Sequence, residues 1–526
     1  MNPAKNPTRA TACVALAVAA VCPMPAHASA TAVVRQNTFA GVPVAGGGAL
    51  GSALDQALAR DLGFAWPLAW LEQKVVLADG QADDLFGFRV LVSGDQAFIS
   101  APAPIYRPGA VYVFARSNGV WNQTQTLTPT PDSPPPPGWS DFFGWSLSLS
   151  GNTLLVGSPF TLDQMLGPIG SAYVFTLSGG VWSQTQELTA SDAFATDWFG
   201  VAVALAGDTA IIGANAHNRG ANGTEGAAYV FTNTGGVWSQ TQEIEPSDGV
   251  PGDGHGFGGS VVMDGTVALV GAPGPDYSSD GTYPQGAAYV LANSAGTWSE
   301  IQKLTASDGA DGDQFGFSLA LSGTTALIGA SAADIGGQVH QGAAYAFDGS
   351  GASWTEVQKL TAGDGVAYAQ FGQSIAMNGA RALVGEWNFD DDPTGPPAAQ
   401  TPGSVYLFER SNGSWSQSQE LVPGDGVAGD SFGWDVALDA STLLVGAQGN
   451  VGGNAFQGAA YAQVSVGQQR EKTPLQMEEE QKKESAEKMD LEDQATMKRT
   501  QGQEAAPAAI DPWANMRGVS GTPPKR

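Results

Sequence analysis

Eight aspartates at a fixed spacing are the first residues in this chain with the makings of chemistry. They form the pairs Asp79/Asp84, Asp192/Asp197, Asp308/Asp313 and Asp425/Asp430, and the second member always stands two residues before a Phe-Gly. Asp141 holds the second position alone, and Asp364 the first alone. Carboxylates at fixed spacing in a Gly-rich loop suit Ca²⁺, which gathers six to eight oxygens and completes its shell with backbone carbonyls. Two carboxylates per loop are few for such a cage. The competing reading is that the aspartates cap turns and accept hydrogen bonds from nearby backbone amides.

Histidines and aromatics supply the other candidates. His217 and His255, with Asp253 near the latter, form a candidate acid/base or metal group, while His340 stands apart. No HExxH or comparable ligand spacing accompanies them, so solvated loop histidines are the plainer reading. Trp139, Trp198 and Trp387 and the loop tyrosines Tyr277 and Tyr283 are candidate ligand contacts, because exposed rings stack on sugars or anchor a protein. A nucleophile elbow and a Walker-type phosphate loop are both missing. Acidic pairs could serve glycoside hydrolysis, but a face rich in Asp meets that condition by chance. No catalytic constellation emerges, and a non-enzyme is expected.

The elements that position these residues come from a repeat. Phe-Gly recurs at Phe86, Phe143, Phe199, Phe257, Phe315, Phe371 and Phe432, with spacings of 57, 56, 58, 58, 56 and 61 residues. The fifth unit reads FGFSLALSGTTALIGA, a loop, GAAYAF, a short turn, then WTEVQKL. Alternating apolar positions, β-branched and aromatic residues and Gly punctuation argue four strands. Asp264-Gly265 and Asn378-Gly379 mark hairpin turns between the first and second strands. Four strands in roughly 57 residues, seven times over, predict an all-β, seven-bladed propeller of four-stranded antiparallel blades. The seventh unit stops after GAAYAQ and lacks its Trp-containing strand. Gln73-Lys74-Val75 aligns with Gln302-Lys303-Leu304, so an N-terminal strand is expected to complete the last blade and remove the open edge.

The repeat resembles the FG-GAP repeat of integrin alpha-chain propellers. Phe257-Gly258 followed by Gly271-Ala272-Pro273 carries the full pattern, and the other units have drifted to Ser100-Ala101-Pro102, Gly157-Ser158-Pro159, Gly213-Ala214-Asn215 and Gly329-Ala330-Ser331. The resemblance spans 70–466 and implies adhesion or protein recognition. Calcium-binding units of that family carry an Asp-rich loop between the first two strands. Here a minimal turn stands there in every unit, at Gly94, Gly151, Gly207, Gly265, Gly323, Gly379 and Ala440, so that calcium site is not carried over.

Meander geometry places the 1–2 and 3–4 turns on one face of a propeller and the 2–3 loops and 4–1 connections on the other. The second set is long and variable, as in 273–286 and 387–403. Variable loops on a rigid scaffold carry function, so this long-loop face is the expected binding face. The recurrent tryptophans Trp121, Trp182, Trp238, Trp298, Trp354 and Trp415 are expected to be packing.

Charge and flanks bound the partners. Residues 31–469 hold 11 Lys/Arg against 40 Asp/Glu, within a chain of net charge −28. That makes nucleic acid and anionic membrane surfaces poor partners and favours cations and basic proteins. Lys5 and Arg9, the apolar run Ala10 to Val21 and Ala28-Ser29-Ala30 read as a signal peptide cleaved near Ala30. Both cysteines, Cys13 and Cys22, lie within it, so the exported chain has no disulfide. Residues 31–65 are expected to be a poorly ordered Gly/Ala-rich lead-in, 66–469 the propeller, and 470–526 a charged, disordered tail. A secreted, monomeric, non-catalytic binding module is expected, with a protein or glycan ligand. A carbohydrate-binding or carbohydrate-degrading propeller and a structural surface repeat protein are the alternatives.

Overall fold

The computed structural model describes residues 30–36, 70–77, 80–102, 108–130, 140–163, 167–217, 225–249, 256–274, 284–350, 352–387, 401–449 and 456–465. Seven antiparallel sheets stand in a ring, and no helix occurs among the described residues. Each blade follows the expected meander. Blade 3, for example, runs Ala202–Ala206, Thr209–Ala214, Ala227–Thr234 and Val237–Ile244. Four of the first strands begin three residues after the Phe of Phe-Gly, Val90–Ser93 begins four residues after it, and those of blades 5 and 7, Phe315–Ser322 and Phe432–Leu438, begin at the Phe itself.

The Phe-Gly and Gly-Ala signatures are the two halves of one contact between blades. Each Phe is fully buried, and its ring meets the tyrosine of a third strand, edge-on in every blade but the sixth, as Phe199 meets Tyr229 at 5.5 Å. Gly200 has φ near 92°, and a Cβ there would lie 2.3 Å from the Ser171 carbonyl of the preceding blade. Gly213 has ordinary φ, but a Cβ there would lie 2.0 Å from the carbonyl of Gly258 in the next blade. Only glycine satisfies both the backbone sign and the approach.

A second seam runs along the outer strands. Gln186 donates from Nε2 to the Trp238 carbonyl at 2.7 Å and accepts from the Trp238 amide at 2.9 Å. The pairs Gln125/Trp182, Gln242/Trp298, Gln302/Trp354 and Gln358/Trp415 repeat it. The repeat tryptophans are buried, as expected of packing residues.

Closure follows the sequence expectation. Trp70–Leu77 pairs with Ala459–Ser465 and supplies the fourth strand of blade 7. Phe86 bridges back to Gly458 across the junction. The strand Ala30–Gln36, which overlaps the start of the expected poorly ordered lead-in of 31–65, pairs antiparallel with Trp70–Leu77 and adds a fifth strand to that sheet. The run ATAVVRQ has the β-branched content for it, but it abuts the apparent cleavage site and carries no repeat signature. The signal peptide, the rest of the lead-in and the 470–526 tail lie outside the described residues.

Candidate functional site: the long-loop face

Every turn entering a blade holds one residue in the left-handed region just before Phe-Gly. They are Leu85, Phe142, Trp198, Gln314, Gln370 and Ser431, with φ of 54° to 61°, and Gly256 in blade 4. Bulky residues rarely adopt this conformation, and strain of this kind concentrates at functional positions. Here it aims Phe142 and Trp198 onto the long-loop face. The turn is held by the second aspartate of each pair. Asp197 Oδ2 accepts from the Phe194 amide at 2.8 Å, Asp313 Oδ2 from Ala310 at 2.8 Å, Asp430 Oδ2 from Val427 at 2.9 Å and Asp84 Oδ2 from Gln81 at 2.6 Å.

Aromatic rings from five blades form one chain on this face. Trp387 meets Trp434 at 4.5 Å, Trp434 meets Phe88 at 5.5 Å, and Phe88 meets Trp145 at 4.7 Å. The series continues from Trp145 to Phe142 at 5.7 Å, Phe142 to Phe160 at 4.8 Å and Phe160 to Trp198 at 5.5 Å. Phe88 is buried, Trp198 is 37% exposed, and the other five are partly exposed. The Trp387 indole also donates to Gln370. Sequence reasoning singled out Trp198 and Trp387 but missed Phe88, Trp145 and Trp434. These three occupy the residue after Phe-Gly, where other blades have Val201, Gly259, Phe317 and Gln373. That column of the repeat was the available signal.

The first aspartate of each pair does a different job from the second. Asp308 accepts from Tyr345 Oη at 2.9 Å and pairs with Lys359 at 3.0 Å. Asp425 accepts from Tyr461 at 3.2 Å and pairs with Lys74 at 3.0 Å. Asp248, which sequence reasoning did not single out, joins Tyr289 at 2.8 Å and Lys303 at 2.5 Å. The lysine holds the Asp308 carboxyl below its usual range. In blades 4, 5 and 7 a lysine ammonium pairs with the first aspartate, and burial raises the Asp313 and Asp430 carboxyls. In blades 5 and 7 the first aspartate thus makes an ion pair and the second holds the turn.

Blade 3 departs from the pattern. His217 is 4% exposed, and its Nδ1 lies 3.0 Å from Asp197 Oδ2. Its Nε2 lies 3.9 Å from Asp192 Oδ2 and 3.7 Å from Glu243 Oε1. Tyr229 Oη donates to Asp192 Oδ1 at 3.1 Å and lies 3.3 Å from His217 Nδ1. The hydrogen bond to Asp197 raises the imidazole pKa more than burial lowers it. Asp192, His217 and Glu243 form the one group of His and carboxylate ligand atoms among the described residues close enough to share an ion. Sequence reasoning placed His217 beside His255 and Asp253. Both of those lie outside the described residues, as do Asp79, Trp139, Tyr277 and Tyr283.

A model of the FG-GAP repeat matches residues 70–114, 121–175, 182–231, 238–291, 298–347, 354–408 and 415–463. These segments cover more than half of the chain, which belongs to this family. No curated protein matches it.

Proposed function

We propose that this FG-GAP propeller is an exported, non-catalytic binding module that recognises a basic protein partner through its long-loop face. The observation that carries the reading is the chain of seven rings from Trp387 to Trp198, which runs across blades 6, 7, 1, 2 and 3. Rings at an interface supply large contact area at low entropic cost, and they attract Lys and Arg side chains. The acidic body, with its net charge of −28 over the whole chain, steers basic partners to that face. The apolar run ending near Ala30 supports export. The family is consistent with recognition as the task, and because the same fold carries many roles the site must decide.

A carbohydrate ligand is the second reading, favoured by the exposed Trp198 ring, which could stack on a sugar. The test is a panel of basic, neutral and acidic peptides together with a glycan array, probed with the full chain and with Trp198→Ala. Salt-sensitive binding to basic peptides, weakened about tenfold or more in the variant, supports the proposal. Glycan binding without peptide binding moves the function to the second reading. Indifference to both sets, with the variant matching the parent, leaves a structural surface protein.

A further inference from the structure

Blade 3 differs from three of its sister blades, which place a lysine ammonium at one position of the fourth strand. On the fourth strand of blades 4, 5 and 7, Lys303, Lys359 and Lys74 stand opposite Tyr289, Tyr345 and Tyr461 of the third strand. Each ammonium pairs with an aspartate, at 2.5, 3.0 and 3.0 Å, and lies 5.2, 5.1 and 5.2 Å from the centre of the tyrosine ring. At the same register in blade 3, Tyr229 stands opposite Glu243. The aspartate is retained as Asp192, the lysine is replaced by an acid, and His217 enters from the 2–3 loop.

Blades 2 and 6 also carry an acid there, and each answers it with a serine. Ser171 Oγ donates to Glu187 at 2.6 Å, and Ser404 Oγ donates to Glu420 at 3.0 Å. Ala227 occupies the serine position in blade 3. Blade 3 thus has Glu243 at the lysine position of one set of blades and Ala227 at the serine position of the other. Beside Glu243 stands the buried His217 imidazole, whose Nε2 makes no hydrogen bond.

We infer that Asp192, His217 and Glu243 bind a first-row divalent cation of the zinc class, at the place that a lysine ammonium takes in blades 4, 5 and 7. The ring is oriented for it. Nδ1 lies 3.0 Å from Asp197 Oδ2, and in the tautomer that donates Nδ1–H to that carboxylate the Nε2 lone pair faces Asp192 and Glu243. A carboxylate behind a ligating histidine is the usual outer support of such a centre. Asp192 is held in turn by Tyr229. The separations of 3.9 and 3.7 Å from Nε2 are too long for hydrogen bonds. They are close to the spacing of about 3.3 Å between donors that each lie about 2.0–2.2 Å from a tetrahedral ion. The Asp192 side chain is 40% exposed, which gives the ion a route in and leaves room for water as a further ligand. A mixed imidazole and carboxylate set suits zinc and its neighbours and not Ca²⁺, which takes oxygen alone.

The test uses the full chain, stripped with EDTA and dialysed against zinc, with bound metal measured directly. One zinc per chain is expected, and Co²⁺ in its place should show the visible absorption of a low-coordinate ion. Glu243→Lys restores the residue of the sister blades, so it should fold and melt at least as high as the metal-free parent. Its zinc uptake should fall at least 100-fold. Asp197→Asn should weaken uptake by about 10–100-fold. Equal uptake by the parent and Glu243→Lys, no stoichiometric uptake by the parent, or uptake of Ca²⁺ in preference to zinc each overturns the inference.

Discussion

Gln73 and Trp121 stand 48 residues apart in the chain and meet across the seam that closes the ring. Gln73 Nε2 donates to the Trp121 carbonyl at 2.9 Å, and the Trp121 amide donates to Gln73 Oε1 at 2.8 Å. One side chain thus replaces the two hydrogen bonds of a β-bridge between separate sheets. Five other junctions use the same Gln and Trp pairing, but only this one joins a strand that precedes the first repeat to the blade that follows it.

Gln73→Ala is expected to leave two buried backbone groups of Trp121 without those partners. Each such loss amounts to about 1–3 kcal/mol. A drop of that order in unfolding free energy, read from the urea midpoint, is the expected outcome. A midpoint unchanged from the parent would show that the seam does not hold the ring. Removing 70–77 altogether should expose the edge of Ala459–Ser465 and cause association between copies, read by light scattering.

The Arg89 and Asp435 pair at the same junction gives a pH dependence with a definite sign. Asp435 Oδ2 accepts from the Val90 amide at 2.7 Å, and its Oδ1 lies 3.5 Å from Arg89. Burial outweighs both and pushes the carboxyl up to about 6. The folded state therefore holds this proton more tightly than the unfolded chain, whose Asp pKa is about 3.9. The resulting stabilisation is full below about pH 4 and is lost as pH climbs through about 6. Asp435→Asn should remove that fall. The check is the difference in urea midpoint between parent and variant from pH 4 to 7, and a constant difference would refute it.

Gly200→Ala should be among the most damaging single changes in the chain. The new Cβ would meet the Ser171 carbonyl at 2.3 Å in a backbone conformation with φ near 92°. A loss of roughly 3 kcal/mol or more is expected. Gly207→Ala offers the control. It also has positive φ, but nothing lies within 4 Å of its Cβ, so only the backbone penalty of about 1 kcal/mol should appear. Equal losses in a denaturant melt would mean that the blade contact contributes nothing.

Millimolar Ca²⁺ should leave the melting temperature of the EDTA-stripped chain unchanged. Lys359 and Lys74 already pair with Asp308 and Asp425, and Asp313 and Asp430 cap turns with the same oxygens that a cage would need. A clear upward shift would mean that the folded chain binds the ion and would restore the aspartate pairs as a calcium site.

The sequence by itself determined the seven units, the four strands in each and the strand that closes the ring. These follow from local signals that recur: alternation, Gly turns and the Phe-Gly register, each readable within about 60 residues. Tertiary structure decided what the candidate residues do. Asp308 and Asp313 look alike in a loop, yet one meets Lys359 and Tyr345 and the other caps a turn. His217 meets Glu243 only because the third and fourth strands pair Tyr229 with Glu243, and it meets Asp192 only because the incoming connection folds against that blade. Phe88, Trp145 and Trp434 look like variable residues in a column of the alignment, and become one aromatic surface when the ring brings blades 7, 1 and 2 side by side. A repeat fixes each element through short-range pattern. The chemistry arises between neighbouring strands and blades, where the contacts depend on register and closure.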